Sequence, residues 1–425
     1  MTQNKHQKVE LLAPVGNREK LEIAIHYGAD AVYLAGKDFS LRNFSGNFSI
    51  PEMEDAIGYA HDHSVKVFVA CNIYSRNYEQ NEIAAYLEAL GKIKPDAVIL
   101  ADPGLINIAL EIIPEIDIHL STQSNTTNYN TALFWKRLGI KRINTARELP
   151  LKDISEIAEK SGLEIESFVH GAMCISYSGR CLLSSFMTNR DSNRGQCSHP
   201  CRWKYSVVEE QRPGKFHPIM EDSRGSYIFN SKDLTMISHI PELIQSGIAS
   251  FKIEGRMKGI NYLASSVKVF REAIDFWYED PASYYTKPEW VEELTRINNR
   301  EYCTGFFFGH PDETEPNYPD TRPGTIHRFI GKITETIEEN WVKVGVRNRI
   351  RVGDKIEALC PKGPAVKDRV LEIINKNGES TDTAQPNTIA TIRFNNTYHP
   401  NDLLRNAEET SYSTEPKSRA PKKNS

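Results

Sequence analysis

Eight short runs rich in apolar and β-branched residues recur along the chain up to residue 255, and amphipathic stretches separate them. Buried strands that alternate with helices predict a parallel sheet covered by helices. Eight such units predict an α/β fold of the (β/α)8 type, the TIM barrel, although periodicity alone leaves an open doubly wound sheet as the alternative. The runs are ELLAPV (10–15), AVYLAG (31–36), VKVFVACN (65–72), AVILAD (97–102), IDIHLSTQ (116–123), KRINTA (141–146), LEIESFVHG (163–171) and ASFKIEG (249–255).

The spacing between the runs breaks once, between the seventh and the eighth. Residues 172–232 form an insertion there, far longer than the usual βα loop of about two to six residues. In a barrel this loop leaves the carboxyl-terminal face, where active sites lie. We therefore expect the insertion to contribute to the functional site.

The composition changes after the predicted barrel domain, which we assign to residues 1–309. Residues 310–324 contain four prolines and four acidic residues without periodicity, which indicates a linker. Residues 325–406 alternate apolar and polar positions with Gly and Asn at the turns, so we predict a small all-β barrel or sandwich. Residues 407–425 are polar and mildly basic, which is typical of a disordered tail.

Four of the seven cysteines, Cys174, Cys181, Cys197 and Cys201, lie in the insertion. The amino terminus lacks the apolar stretch of a signal peptide and no long apolar run is present, so we expect a cytoplasmic protein that does not enter the membrane. Cytosolic thiols stay reduced, which favours metal ligands over disulfides. Four thiolates suit either a zinc ion or a [4Fe-4S] cluster, and unrelated buried cysteines remain a third interpretation.

The charge distribution indicates one stretch of the chain that could bind a polyanion. The formal net charge of the whole chain is −4, but the stretch from Arg180 to Lys204 carries five cations and one acidic residue, a local charge of +4. Such a stretch can neutralise phosphates, although most short charge runs are merely solvated. The sequence also lacks the H-E-x-x-H, G-x-S-x-G, G-x-x-x-x-G-K-[ST] and G-x-G-x-x-G motifs of several enzyme classes.

A specific resemblance rests on four segments: ESFVHGAMCISYSGRCLLS (166–184), GQCSHPCRW (195–203), FKIEGRMK (251–258) and NREYCTGFFFG (299–309). They resemble the collagenase-like peptidase family, number thirty-two among peptidases of unknown catalytic type. Despite the historical name, the resemblance implies oxygen-independent hydroxylases that act on transfer RNA, ribosomal RNA or ubiquinone precursors. The length and the appended β-domain are most similar to the transfer-RNA branch.

Several expectations follow from this resemblance alone. The resemblance implies that a [4Fe-4S] cluster, rather than a zinc ion, is bound by Cys174, Cys181, Cys197 and Cys201. The reaction would form 5-hydroxyuridine at the wobble position of tRNA, with prephenate as the hydroxyl donor. The alternatives are a peptidase, as the old name implies, and a noncatalytic metal-stabilised RNA-binding protein. The protein would act as a homo-oligomer or in a pair with a shorter paralogue, or alone.

The remaining site residues are inferred from residue type and position. His170 ends the seventh run, and Glu254 and Arg256 follow the eighth, so all three are candidate catalytic residues, with ordinary structural roles as the alternative. Prephenate carries two carboxylates, which calls for guanidinium clamps. The candidate ligands for prephenate are Arg147, Arg180, Arg202 and Arg256. Arg190 and Arg194 are the candidate contacts to the anticodon loop. We expect the β-domain to bind the tRNA body.

Overall fold

A computed structural model of the protein describes residues 8–37, 39–40, 46–173, 181–188, 190, 196–198, 200, 220–222, 225–227, 232–297, 302–309 and 328–407. The predicted linker at 310–324 lies outside these residues, and so does the predicted tail beyond Ala407. The described residues form two compact units, one up to Leu294 together with 302–309, the other containing 295–297 and 328–407.

Eight parallel strands of the first unit form a closed barrel, as predicted. Each strand pairs with the next along the chain, and the last one pairs with both the first and the seventh, which closes the ring. Seven of the eight sequence runs contain one of these strands completely, and the seventh run contains all of its strand except Ala172. Strands are numbered along the whole chain, so the barrel consists of β1 (Glu10–Pro14), β2 (Ala31–Ala35), β3 (Lys66–Ala70), β4 (Ala97–Leu100), β5 (Asp117–Leu120), β6 (Arg142–Asn144), β7 (Glu164–Ala172) and β11 (Ser250–Ile253).

Helices connect the barrel strands and begin at recognisable caps. The Asn17 side chain accepts a hydrogen bond from Lys20 N, and the Asp102 side chain accepts one from Gly104 N, which satisfies free amides in the first turns. No helix of the described residues is both long and apolar enough to cross a membrane. The helices are α1 (Arg18–His26), α2 (Ile50–Asp62), α3 (Gln80–Ile93), α4 (Pro103–Ile112), α5 (Tyr129–Arg137), α6 (Leu151–Ser161), α7 (Leu183–Thr188), α8 (Ile240–Gln245), α9 (Ile260–Glu279) and α10 (Pro288–Ile297).

The long insertion begins and ends at the barrel sheet. It contains α7, the paired strands β8 (Met220–Asp222) and β9 (Gly225–Tyr227), and it returns through β10 (Asp233–Thr235). Strand β10 pairs antiparallel with the end of β7, and β12 (Tyr302–Cys303) pairs with β10. The two ends of the insertion are therefore fixed beside each other at the carboxyl-terminal face.

The barrel contains both an apolar cluster and a group of buried ion pairs. Leu12, Tyr33, Phe68 and Ile99 belong to one buried cluster with four alanines. The Arg142 guanidinium is 2.6 Å from a Glu10 carboxylate oxygen, 2.8 Å from Glu164 and 3.6 Å from Glu166. Buried charges are tolerated when such partners compensate their desolvation.

The second unit is an antiparallel all-β domain, as predicted. Seven strands form one sheet in the order β17-β16-β21-β13-β14-β20-β18, and β15 pairs with β19. Alternate residues of these strands, such as Val342, Val344 and Val346, enter one apolar core. The strands are β13 (Phe329–Glu338), β14 (Trp341–Val346), β15 (Ile350–Arg351), β16 (Lys355–Leu359), β17 (Val366–Arg369), β18 (Glu372–Ile374), β19 (Thr383–Ala384), β20 (Ile389–Arg393) and β21 (Leu403–Asn406).

Candidate functional site

The carboxyl-terminal mouth of the barrel is the face where β1–β7 and β11 end. Two of its loops are joined by hydrogen bonds: Asn72 Nδ2 donates to Ser121 Oγ over 3.4 Å, and the Tyr74 hydroxyl donates to Gln123 O over 2.8 Å. These contacts connect the loop after β3 to the loop after β5. The mouth therefore has an ordered polar rim on this side.

Two amide side chains of the mouth have acceptor atoms that nothing nearby satisfies. Gln123 Oε1 and Asn144 Oδ1 are both buried, and neither has a hydrogen-bond partner among the residues that the structure describes. A buried acceptor without a donor is costly, so such atoms are expected to meet a ligand or an ordered water. Gln123 and Asn144 are thus available to a donor group of a bound molecule.

Arg147, a predicted ligand of the donor, follows β6 and stays half-buried at the mouth. Its guanidinium lies over the Phe168 ring, with Cζ 4.1 Å from the ring centroid. Arg147 Nε is buried and has no hydrogen-bond partner within the described part of the chain. The stacking fixes the plane of a cation that retains at least one free donor, which is the arrangement that recognises a carboxylate.

Lys252 reaches the same ring from inside the barrel. Its Nζ is 5.4 Å from the Phe168 centroid and 4.4 Å from that of Tyr33, and it donates to Glu166 Oε1 over 2.7 Å. Burial lowers the pKa of Lys252, while the Glu166 carboxylate opposes this shift. The Lys252–Glu166 ion pair therefore lies against the Phe168 ring on which Arg147 packs.

A second basic group lies where α1 and β11 meet the mouth. Arg256 is buried, and its carbonyl accepts a 2.7 Å hydrogen bond from Lys20 Nζ. Burial and the neighbouring Arg256 charge both lower the pKa of Lys20. Lys20 was not predicted as a site residue because it lies in the first turn of a helix rather than at a strand end. The signal was the cap Asn17, three residues after the end of β1, which starts this helix at the mouth.

His170, a predicted catalytic residue, does not point into the mouth. The register between β7 and β11 shifts at this position, so that Phe168 opposes Lys252 but His170 opposes Ile253. The shift breaks the alternation of the strand. The imidazole ring packs instead against Tyr262 and Phe270 of α9 and against Tyr302, with centroid distances of 5.6, 5.5 and 5.5 Å.

The environment of His170 favours a structural role. The residue is fully buried, and neither ring nitrogen has a hydrogen-bond partner among the described residues. Burial, with a smaller contribution from Lys258, lowers the pKa of His170 to about 3, so the ring is neutral at physiological pH. The geometry places the His170 ring among aromatic side chains of α9 and β12, and its catalytic role stays a prediction.

Glu254, the third catalytic candidate, is half-buried just beyond β11. Its backbone N donates to His170 O over 2.8 Å, and its carbonyl accepts from the Tyr262 hydroxyl over 3.1 Å. The Glu254 backbone thus fixes the end of β11 against the irregular part of β7. Its catalytic role stays a prediction.

Gly171 makes this close approach possible. It has φ +109°, and a Cβ at this position would lie 2.3 Å from Glu254 O. Only glycine adopts this backbone conformation without strain and leaves room for the carbonyl. We predict that Gly171→Ala lowers the free energy of unfolding of the barrel by about 2 kcal/mol or more, measured by urea denaturation.

Gly58 provides the matched control for that substitution. It lies within α2, and no atom lies within 4 Å of a Cβ added there. Gly58→Ala should stabilise the helix by about 0.5–1 kcal/mol. Equal stability of the Gly171→Ala variant and the parent protein would contradict the assigned role of Gly171.

Two of the four predicted cluster ligands, Cys181 and Cys197, lie within the described residues. Neither forms a disulfide within the described part of the chain, and both are partly buried. Ser198 N and Ser198 Oγ each lie 3.0 Å from Ser184 Oγ, and Thr188 Oγ1 lies 2.9 Å from Ser198 Oγ. Since Cys181 precedes Ser184 by three residues and Cys197 precedes Ser198 directly, these bonds hold the two cysteine segments together.

The donor set fits a thiolate-bound metal as far as it is described. Reduced, partly buried cysteines held by local hydrogen bonds suit an iron–sulfur cluster or zinc. Within the described residues no group of three or more His, Cys, Asp or Glu side chains is arranged for a metal ion. The other two predicted ligands, Cys174 and Cys201, lie outside the described residues.

The predicted arginines of the insertion are mostly outside the described residues as well. This applies to Arg180, Arg194 and Arg202. Arg190 is described and exposed; its backbone N donates to Ser184 O over 3.5 Å. Arg190 is therefore attached to the same α7–Ser198 structure as the two cysteines and presents its side chain to solvent.

Two protein-family models match this chain. The model described as peptidase family U32 matches residues 16–317. The model described as the peptidase family U32 C-terminal domain matches residues 326–405. Together they cover both units of the structure.

Proteins of known name are similar over most of the chain. The tRNA hydroxylation protein P1 of Bacillus subtilis is 38% identical over 94% of this chain and 95% of its own length. The tRNA hydroxylation protein P2 of the same organism is 35% identical over 71% of this chain and 98% of its own length. The 23S rRNA 5-hydroxycytidine C2501 synthase of Escherichia coli is 33% identical over 94% of this chain and 60% of its own length.

Proposed function

The chain belongs to peptidase family U32, and from this premise we propose that it is an RNA hydroxylase whose substrate is tRNA. Relatives along nearly the whole chain are named for hydroxylation of tRNA or for a hydroxycytidine of rRNA. The mouth of the barrel is the observation that supports this proposal most directly. It brings together Arg147, which lies over the Phe168 ring, the buried Arg256 and the unsatisfied acceptor Gln123 Oε1. This combination suits an anionic reactant together with a nucleobase.

We further propose that the product is 5-hydroxyuridine at the wobble position and that prephenate supplies the hydroxyl group. The two carboxylates of prephenate require cations in fixed positions, and Arg147 supplies a planar one. Lys252 lies against the same Phe168 ring, with Nζ 5.4 Å from the ring centroid. The buried Gln123 Oε1 can accept a hydrogen bond from N3–H of a uracil ring.

We propose that Cys174, Cys181, Cys197 and Cys201 bind one [4Fe-4S] cluster. A cluster with every iron bound by cysteine supplies electron transfer or structural order, since it has no vacant iron to act as a Lewis acid. The fixed contacts of Ser184 and Thr188 with Ser198 support this assignment, because they hold the Cys181 and Cys197 segments together. The donor-binding role belongs to the arginines of the mouth.

The tRNA body would be bound by exposed cations of the β-domain. Arg349, Arg351, Lys355 and Arg369 are all exposed, and Lys355 opposes Arg369 directly on neighbouring strands. Exposed cations on neighbouring strands can neutralise phosphates of a polyanion. The domain would then add phosphate contacts that carry no sequence specificity.

The insertion would bind the anticodon loop through its own cations. We predict that Arg190→Ala combined with Arg194→Ala weakens tRNA binding and flattens the dependence of log K on log salt by about one to two units, because fewer counterions are released. Fluorescence anisotropy over a salt series measures both quantities. The ultraviolet-visible spectrum of the protein should not change.

Lys92→Ala combined with Arg137→Ala is the matched control for the insertion variant. Both residues are exposed in the last turns of α3 and α5. In a (β/α)8 barrel these helix ends lie at the face opposite the mouth. Unchanged tRNA affinity of the insertion variant at matched salt would show that the RNA-binding surface lies elsewhere.

Nucleoside analysis of tRNA from cells without this protein tests the proposed function. With any oxygen-dependent enzyme of the same specificity also removed, the modifications derived from 5-hydroxyuridine should disappear. Their persistence would contradict the proposal. A peptidase would leave tRNA nucleosides unchanged, and a noncatalytic RNA-binding protein would bind tRNA without forming product; pairing with a shorter paralogue stays a prediction.

A further inference from the structure

Tyr78 is the most exposed large apolar or aromatic residue of the described chain. It is 79% exposed, and it lies in the loop after β3 at the mouth of the barrel. Arg76, two residues earlier, is also exposed. An exposed ring two residues from an exposed arginine, in a loop at the active face, is a combination that neither the strand pattern nor the family match assigns to a role.

The loop that carries these two side chains is firmly held. Glu79 is buried, its Oε2 accepts from Arg76 N over 2.8 Å, and its own N donates to Arg76 O over 3.0 Å. On the preceding side, Ser75 N and Oγ donate to Asp102 Oδ2 over 3.1 and 3.0 Å. Tyr78 is therefore presented to solvent by a fixed backbone.

The same loop contributes to the polar rim of the mouth. Tyr74, four residues before Tyr78, donates its hydroxyl to Gln123 O, and Asn72 contacts Ser121. Gln123 is the residue whose buried Oε1 is available to a nucleobase. A nucleotide chain that places one base at Gln123 thus has Tyr78 and Arg76 on an adjoining loop.

We propose that Tyr78 and Arg76 form a stacking site for an unpaired RNA base close to the modified nucleotide. This inference rests on the proposed function, because it assumes that RNA enters the mouth. Unpaired bases stack on tyrosine rings and guanidinium planes, and every base offers such a face. A protein partner would instead require a contiguous apolar patch, whereas this loop exposes one large ring and, two residues before it, a cation.

The test uses the full-length protein and an anticodon stem-loop RNA with 2-aminopurine at a nucleotide next to the target uridine. Tyr78→Ala should raise both Kd and KM for this RNA by about tenfold and abolish quenching of the 2-aminopurine, since one stacking contact is lost. The value of kcat and the salt slope should stay unchanged. Tyr78→Phe keeps the ring, so it should behave like the parent protein within about twofold.

Two further variants separate stacking from general effects. Tyr285→Ala removes a ring that is 59% exposed beyond the end of α9, and it should change neither Kd nor quenching. Arg76→Ala should weaken binding and lower the salt slope by about one unit if its guanidinium also contacts a phosphate. If Arg76→Ala loses quenching of the 2-aminopurine but keeps the salt slope of the parent protein, the guanidinium contacts the base rather than a phosphate, which equally supports the proposal.

Unchanged Kd and quenching for Tyr78→Ala would overturn the stacking site, as would a Tyr78→Phe variant as weak as Tyr78→Ala. Loss of self-association in Tyr78→Ala, with unchanged RNA affinity, would assign the residue to a protein interface and also overturn the proposal. Failure of the proposed function is distinguishable, because then the parent protein itself forms no hydroxylated nucleoside.

Discussion

Replacing Cys197 by serine should remove most of the iron from the protein and abolish hydroxylation of tRNA. A serine hydroxyl remains protonated at neutral pH and is a poor ligand for iron, whereas a thiolate binds it strongly. Cys197 is partly buried and directly precedes Ser198, which Ser184 and Thr188 hold by hydrogen bonds, so the position of its sulfur is restricted. Iron analysis and the visible absorbance of anaerobically purified protein measure the effect.

Cys303→Ser is the matched control for this experiment. Cys303 lies in β12, and its partly buried thiol has a raised pKa because of burial. It is not one of the four predicted ligands, so this variant should retain iron and activity. Full iron content in the Cys197→Ser protein would contradict the cluster assignment, and zinc in the parent protein would do so equally.

Replacing Arg147 by alanine should raise the KM for prephenate by about 10- to 100-fold, because a charge-assisted hydrogen bond contributes about 1.5–3 kcal/mol. The guanidinium is already oriented by the Phe168 ring, so little entropy is lost when it binds a carboxylate. Steady-state kinetics with prephenate as the varied substrate measures KM. Equilibrium dialysis of the donor provides a second readout, independent of turnover.

Two substitutions define what Arg147 contributes. Arg147→Lys retains the charge but loses the planar donor arrangement, so it should recover only part of the affinity. Arg137→Ala removes an exposed arginine from the end of α5 and should have no effect on KM. Prephenate affinity in Arg147→Ala equal to that of the parent protein would exclude Arg147 as the donor ligand.

The barrel could be predicted because its strands are short, apolar and regularly spaced. For example, AVYLA and KVFVA are buried along nearly their full length and are separated by an amphipathic helix. The sequence did not decide whether the sheet closes into a barrel, because closure depends on pairing between β11 and β7, which are distant in sequence. The family resemblance drawn from the segment around Cys174 and Cys181 is confirmed by the family models.

The candidate site could be predicted only where the side-chain direction follows strand alternation. Glu166, Phe168 and Lys252 obey it and face the barrel interior. His170 does not, because the register shift beside Gly171 turns its ring outward to α9. A local irregularity of this kind depends on contacts with Glu254, far along the chain, and periodicity cannot reveal it.

Residues on helices and loops were the other class that sequence patterns did not indicate. Lys20 reaches Arg256 O from the first turn of α1, and Tyr78 is fixed by a turn that depends on Glu79 and on contacts of Ser75 with Asp102. Both positions require the three-dimensional arrangement of separate loops. The roles of the mouth arginines and cysteines stay predictions until their variants are measured.

We propose, above all, that this protein hydroxylates a tRNA uridine without oxygen. The most direct measurement is a strictly anaerobic reaction of the purified, iron-containing protein with prephenate and unmodified tRNA, followed by mass spectrometry of the nucleosides. We expect 5-hydroxyuridine to form at the wobble position. Its formation should depend on prephenate, and the Cys197→Ser protein should not form it. No hydroxylated nucleoside from iron-replete protein, or a product that forms equally well without prephenate, would contradict it.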